Sequence, residues 1–298
     1  MDQSLISIPG SRRIALGVEY DGRAFCGWQT QPPRSLRSLP PEGAQSSPWG
    51  GPAAKTQPRR DQLIGCGVQD ALEAALAQIH GAPVATIVAG RTDAGVHASA
   101  QVVHFDAVNA RPEGAWVRGV NSHLPPGVVV LWAREVGVDF HARFGALERE
   151  YRYRLLMRPV RPAILAGRVG WVHDALDVAA MQAASRCLIG QHDFSAFRSA
   201  ECQAKSPVRE MRVVEITQDG PMLSFTFRAN AFLQHQIRNL VGALVWVGQG
   251  RRPVDWMAET LEGRDRTRAA ATFAPDGLYL TAVRYDPRHA LPESPLIP

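Results

Sequence analysis

The chain reads as an α+β protein built from two split βαβ units. Three observations predict this: strands of alternating apolar residues, amphipathic helical stripes between them, and an element order of β-α-β-β-α-β that the second half repeats. Such halves can join edge to edge into one mixed, mainly antiparallel sheet, with helices on one face and a central cleft on the other. At 298 residues, 45% of them hydrophobic, the chain is long enough for two compact halves, which we place at 12–144 and 145–298.

The first strand runs through Ile14, Leu16, Val18 and Tyr20 and breaks at Asp21-Gly22, with the alternation of a half-buried strand. Residues 32–67 hold Pro, Ser and Gly clusters, few apolar residues, and Arg34, Arg37, Lys55, Arg59 and Arg60. They read as a flexible, basic insertion with no core of its own. Val68, Ala71, Leu72, Ala75, Leu76 and Ile79 then form one apolar stripe at helical spacing, closed near Gly81-Ala82-Pro83. A strand over Val84 to Ala89, a turn through Arg91 and Asp93, a strand from Gln101 to Phe105, a short helix around Pro112 to Val120 and a strand from Val128 to Val136 complete the half. The second half carries a strand through Tyr151 and Tyr153, a helix after Asp177 and strands near Val213 and Phe225. Helices from Phe232 and Pro253 and a last strand from Leu278 to Tyr285 follow. No residue-level repeat accompanies the shared order.

The start, Met1 to Arg13, lacks an apolar signal segment, and the best apolar run, Leu240 to Gly248, is far shorter than the roughly 20 residues a spanning helix needs. A cytoplasmic protein is expected. Cys26, Cys66, Cys187 and Cys202 are scattered without a C-x-x-C pair, so we read them as free thiols, and the single histidines form no metal-binding cluster. The net charge is +5, and Lys55 and Lys205 are the only lysines, so nearly all the positive charge is arginine. Arginine's planar fork suits phosphate and base contacts in RNA, although an Arg-rich composition is equally what a high-GC genome produces.

Gly90-Arg91-Thr92-Asp93-Ala94-Gly95-Val96-His97 is the stretch richest in chemistry. Arg91 and Asp93 lie two apart, so an extended backbone points both side chains the same way, and glycines on either side permit a tight reversal. A carboxylate beside a guanidinium is a nucleophile that needs no base to activate it. On spacing alone the commoner reading is a surface turn held by an ion pair. In Glu148-Arg149-Glu150-Tyr151-Arg152-Tyr153-Arg154, alternation puts the tyrosines on one face, where they either pack in a core or stack on a base.

Taken together, the segments resemble the tRNA pseudouridine synthase A family over nearly the whole chain. The resemblance is carried by Ala15 to Gly22, Gly27-Trp28-Gln29, Ala89 to His97 with Gln101 to Phe105, and Asp139-Phe140-His141-Ala142-Arg143-Phe144. It continues through Tyr151-Arg152-Tyr153, His192-Asp193-Phe194, Asn230-Ala231-Phe232, Ile237 to Gly242 and Gly277 to Leu280. It implies a pseudouridine synthase fold and conversion of uridine to pseudouridine at positions 38 to 40 of the tRNA anticodon arm, an isomerisation requiring no cofactor. By the same resemblance Asp93 is the catalytic aspartate, supported by Arg91 and, from the second half, Arg238. Tyr151 is the active-site tyrosine and Leu278 lines the uracil pocket. A homodimer with tRNA as partner, and no metal, is also implied. Gln234 and Gln236 depart from the family's usual His and Met, Gly67 stands where a capping Ser or Thr is usual, and the 32–67 insertion is longer than usual.

Two rivals remain at this point. A non-catalytic tRNA-binding protein leaves the Arg91–Asp93 turn unexplained, and a nucleosidase would want a second carboxylate where this chain offers cations.

Overall fold

The structure is a computed structural model that describes residues 11–29 and 66–292, so residues 32–65 of the expected insertion lie outside it. Of the described residues, 11–29, 66–147 and 280–292 form one compact unit and 148–279 a second.

In the first unit, β1 (Arg12–Tyr20) lies between β3 (His97–Ala107) and β4 (Val128–Val136), antiparallel to both, and β2 (Ile87–Val88) pairs antiparallel with β3. Helix α1 (Val68–His80) packs on α2 (Glu113–Asn121), and α2 on β4. Gly67 has no side chain to cap α1, yet its N–H donates to Asp70 Oδ2 at 2.9 Å, so an acidic third residue does half of a capping box alone. Leu72, Leu76, Trp116 and Val120 put the apolar stripes of both helices into the core beside Leu16, Val103 and Phe105.

Two expectations change here. Alternation predicts one wet face for β1, whereas every residue from Ile14 to Val18 is buried. A cluster of Phe140, Ala142, Tyr285 and Leu291 covers Ala15 and Val102 on the second face. The strand expected over 84–89 shrinks to Ile87–Val88, because the Thr86 N–H and hydroxyl both bond Glu73 Oε1 on α1 at 2.8 Å. A backbone group satisfied by a helix side chain is lost to a sheet ladder.

In the second unit, β5 (Glu148–Met157) pairs antiparallel with β9 (Met222–Ala229), β9 with β8 (Val208–Asp219) and β8 with β7 (Gly190–Asp193), while β6 (Gly170–Val172) runs parallel to β5. Helix α3 (Val178–Ser185) starts on Asp177, whose side chain accepts the Ala180 N–H at 2.9 Å, and packs on α4 (Gln236–Gly248) and α5 (Trp256–Gly263). Helix α4 is apolar nearly all round, as a buried helix must be. It begins at Gln236 rather than near Phe232, since His235 holds φ 63 and Gln236 Oε1 accepts the Leu233 N–H at 2.8 Å. The last strand, β10 (Leu278–Arg284), passes from the second unit into the first after Tyr279.

Ten strands and five α-helices among the described residues make a mixed α+β fold, the class expected. Among those residues no helix is long and apolar enough to cross a membrane.

The free-thiol reading is wrong for two of the four cysteines. Cys26 and Cys66 form a disulfide across 40 positions of sequence, while Cys187 and Cys202 are free. The loop after β1 runs beside the start of α1, with the Val68 N–H on Gly27 O at 3.1 Å and the Gln69 N–H on Trp28 O at 2.9 Å. That contact brings the two Cα atoms to 5.5 Å. Pairing depends on this distance, which spacing along the chain cannot reveal.

Candidate active site

The carboxylate turn hangs from a buried polar framework. Thr92 points inward and shares a hydrogen bond of 2.8 Å with the Tyr20 hydroxyl, and Gln101 Nε2 donates both to that hydroxyl at 3.2 Å and to Gly90 O at 2.7 Å. Tyr20, Thr92 and Gln101 are all buried, so both flanks of Arg91 are gripped from below by groups water does not reach. Burial pushes the Tyr20 phenol up to about 12, against its bonds to Thr92 and Gln101, so it stays a neutral hydroxyl.

With Thr92 turned in, its neighbours face outward: Arg91 is exposed and Asp93 half-buried. The backbone reverses at once, the Val96 N–H donating to Asp93 O at 3.1 Å with Gly95 at φ 83, a value the third residue of such a turn needs and glycine supplies without strain. Gly27, at φ 103, presses on the same turn; a Cβ there would stand 2.8 Å from Thr92 O and 3.0 Å from the Asp93 carbonyl carbon. The Trp28 N–H donates to Thr92 O at 3.0 Å. Partial burial, and then the charge of Arg143, lower the proton affinity of the Arg91 guanidinium. Asp21 is oriented by Arg23 and approaches His97 Nδ1 at 3.3 Å, a ring nitrogen that also accepts the Gly22 N–H at 3.1 Å.

The second unit assembles the other candidates by apolar packing. Tyr151 and Tyr153 share a face of β5 and both are buried, Tyr151 with its ring edge-on to Phe232 at 5.2 Å. Tyr153 packs on Phe225 and Phe273, and its hydroxyl donates to Ala274 O at 2.9 Å. Arg238, half-buried on α4, donates through Nε to Phe273 O at 2.8 Å, and the Phe273 N–H returns a bond to Arg238 O at 3.2 Å. The same segment continues to Gly277, whose carbonyl accepts the Arg154 N–H at 2.8 Å, and to Leu278, which is buried. Arg238, the tyrosine face of β5 and the residues leading to Leu278 are thus tied together inside this unit. Asn239 explains its place beside Arg238: it donates to Phe197 O at 2.8 Å and accepts from Thr272 Oγ1 at 2.7 Å and Arg266 at 3.1 Å.

Sequence reasoning named Asp93, Arg91, Tyr151, Arg238 and Leu278 and missed what holds them. Tyr20, Gln101, Gly27 and Trp28 stood inside quoted motifs, but hydrogen bonding across 72 and 81 residues of sequence separation leaves no local trace. Phe273 carried no signal at all.

Comparison with known proteins identifies the family of the chain. Residues 184–286 match the family described as tRNA pseudouridine synthase. Proteins named tRNA pseudouridine synthase A are similar over almost the whole chain. The one from Thiobacillus denitrificans is 55% identical over 282 residues, covering 95% of this chain and 96% of its own. Those from Paraburkholderia xenovorans and Methylobacillus flagellatus are each 52% identical, covering 94% of this chain and 93% and 95% of theirs. Identity at this level and coverage admits one conclusion: the chain belongs to the tRNA pseudouridine synthase A family.

Proposed function

We propose that this protein isomerises uridine to pseudouridine in the anticodon arm of tRNA, at positions 38 to 40, with Asp93 as the carboxylate that meets the nucleoside. The isomerisation of tRNA uridine is what membership of the family brings. The target positions and the use of Asp93 are our reading. The observation that carries it is the clamp under the turn: a half-buried carboxylate next to Thr92, which bonds Tyr20, in a turn whose Gly90 is held by Gln101 and against which Gly27 packs, is pre-positioned as a reacting group.

In this reading the N1 to C1′ bond breaks, the base turns, C5 bonds to C1′, and the C5 proton leaves as N1 gains one. Exposing the glycosidic bond means taking the base out of its stack, a cost of a few kcal/mol that a pocket must offset. Tyr151 and Leu278 supply the aromatic and apolar contacts for the base. Arg91 and Arg238 hold the charge of the carboxylate that attacks the sugar or abstracts a proton. The protein acts as a homodimer in the cytoplasm, where its tRNA substrate is processed.

The test uses unmodified tRNA carrying tritium at uridine C5. Release of tritium without free uracil, lost in Asp93→Asn while salt-sensitive tRNA binding persists, is the expected result. Free uracil, or binding with no release, would replace the isomerase by a nucleosidase or a binding protein. Light scattering checks the dimer.

A further inference from the structure

We propose that Arg143 and Phe144 form a nucleotide platform for the tRNA, the Phe144 ring stacking on a base and the Arg143 guanidinium meeting a phosphate. The proposal rests on the tRNA-modifying reading above and adds a binding site to it. An exposed aromatic alone decides nothing, since single apolar residues are common on surfaces. Phe144, at 74% exposed, differs in how rigidly it is presented.

His141 Nδ1 accepts the N–H groups of both Arg143 and Phe144, at 3.2 and 3.1 Å, and His141 O accepts the Gly145 N–H at 2.8 Å. The loop is also pinned from beneath: the Tyr285 hydroxyl donates to Ala142 O at 2.7 Å, and the Ala142 N–H donates to His104 Nδ1 at 3.1 Å. The Phe144 ring leans on His141 at 4.5 Å between centroids, with the Arg143 guanidinium 5.5 Å from its centre. Five hydrogen bonds therefore hold an aromatic ring in water, where it forgoes the stabilisation that burial would bring. The loop backbone that carries the ring is already held by these bonds, which removes part of the usual cost of binding.

Charge identifies the partner. Arg143 is exposed with its guanidinium beside the Phe144 ring, so a cation and an aromatic face are presented together. A single-stranded or flipped nucleotide offers a phosphate and a π-face together, the complement of that pair. An apolar protein partner would match the ring alone.

The experiment measures unmodified tRNA binding by fluorescence anisotropy at several salt concentrations, using the full chain in the Asp93→Asn background. Phe144→Ala is expected to weaken binding about 5- to 150-fold with the salt slope unchanged, because stacking releases no counterions. Phe144→Trp should bind at least as tightly as the parent. Arg143→Gln should lower the salt slope by about 1. Thermal midpoints of the Phe144 variants should match the parent, since the ring is not in the core. Parental affinity in Phe144→Ala overturns the platform, and so does a drop in mass by light scattering, which would assign the ring to an interface between copies of this chain. If wild type releases tritium while Phe144→Ala binds normally, the platform alone falls. If the parent binds no tRNA, the functional reading falls with it.

Discussion

The turn at Gly90–His97 and the β5–α4 region are positioned by opposite means. Under the turn lies a strand, β3, that buries His97, Ser99, Gln101 and His104, and holds the turn through directed hydrogen bonds. The β5 strand instead carries Tyr151 and Tyr153 on a face packed against Phe232, Phe225 and Phe273. Apolar packing is strong and undirected; buried polar contacts add little net stability but are costly when half broken. The contrast teaches that geometry at Asp93 and stability of the second unit should respond to different substitutions.

The largest effect should come where chemistry and fold separate most cleanly. Asp93→Asn, at a half-buried position outside the clamp, should cut single-turnover rates at least about a thousandfold with an unchanged urea midpoint. In the second unit the order reverses. Phe225→Ala, which empties a fully buried site between Tyr153 and Phe227, should cost about 3 to 5 kcal/mol of unfolding free energy in urea titrations. A loss under 1 kcal/mol would mean that packing is not what holds that face.

A third test uses pH and the polar side of the comparison. Burial, then Arg13 and His141, lower the His104 pKa to about 3, with Asp106 opposing, so the folded state keeps this imidazole neutral and able to accept the Ala142 N–H. The unfolded chain takes up that proton near the ordinary histidine value of about 6.5. Between those values the unfolded state binds more protons, so stability falls as pH falls. From pH 7 to 5 wild type should lose about 2 kcal/mol more than His104→Gln in urea unfolding. Equal losses would show the ring titrating normally.

The smallest change in free energy should be the most informative. Tyr20→Phe deletes one hydroxyl from the clamp and should cost about 1 to 1.5 kcal/mol of stability while lowering turnover roughly tenfold at constant tRNA affinity. Thr92→Ser, which keeps its hydroxyl, should retain turnover, and Thr92→Val should behave like Tyr20→Phe. Stability lost with turnover intact would detach the clamp from the position of Asp93.

Much of this was legible in one dimension. The stripe from Val68 to Ile79 became α1, with Gly81 ending it in the left-handed conformation, and the strand read from Val128 to Val136 has those limits. Local periodicity is set by backbone geometry, so it holds where no remote partner intervenes. Most of the failures have a common origin. While the left-handed His235 delayed α4 locally, Thr86 left its strand for Glu73 and β1 lost its wet face to Phe140 and Tyr285, partners distant along the chain. Cys26 and Cys66 looked inert for the same reason, although a bridge spanning about 40 residues, under oxidising conditions, removes roughly 4 kcal/mol of chain entropy from the unfolded state.

By itself the sequence determined the fold class, the order of the elements in the first unit and the residue types available for chemistry, because these depend on neighbours a few positions apart. The tertiary structure alone decided that Thr92 turns inward to Tyr20 while Gln101 holds Gly90, leaving Arg91 and Asp93 outward, and that Phe144 stands exposed. The first outcome follows from hydrogen bonds between groups remote in the chain. Which donor meets which acceptor is settled only when burial removes water as the competing partner.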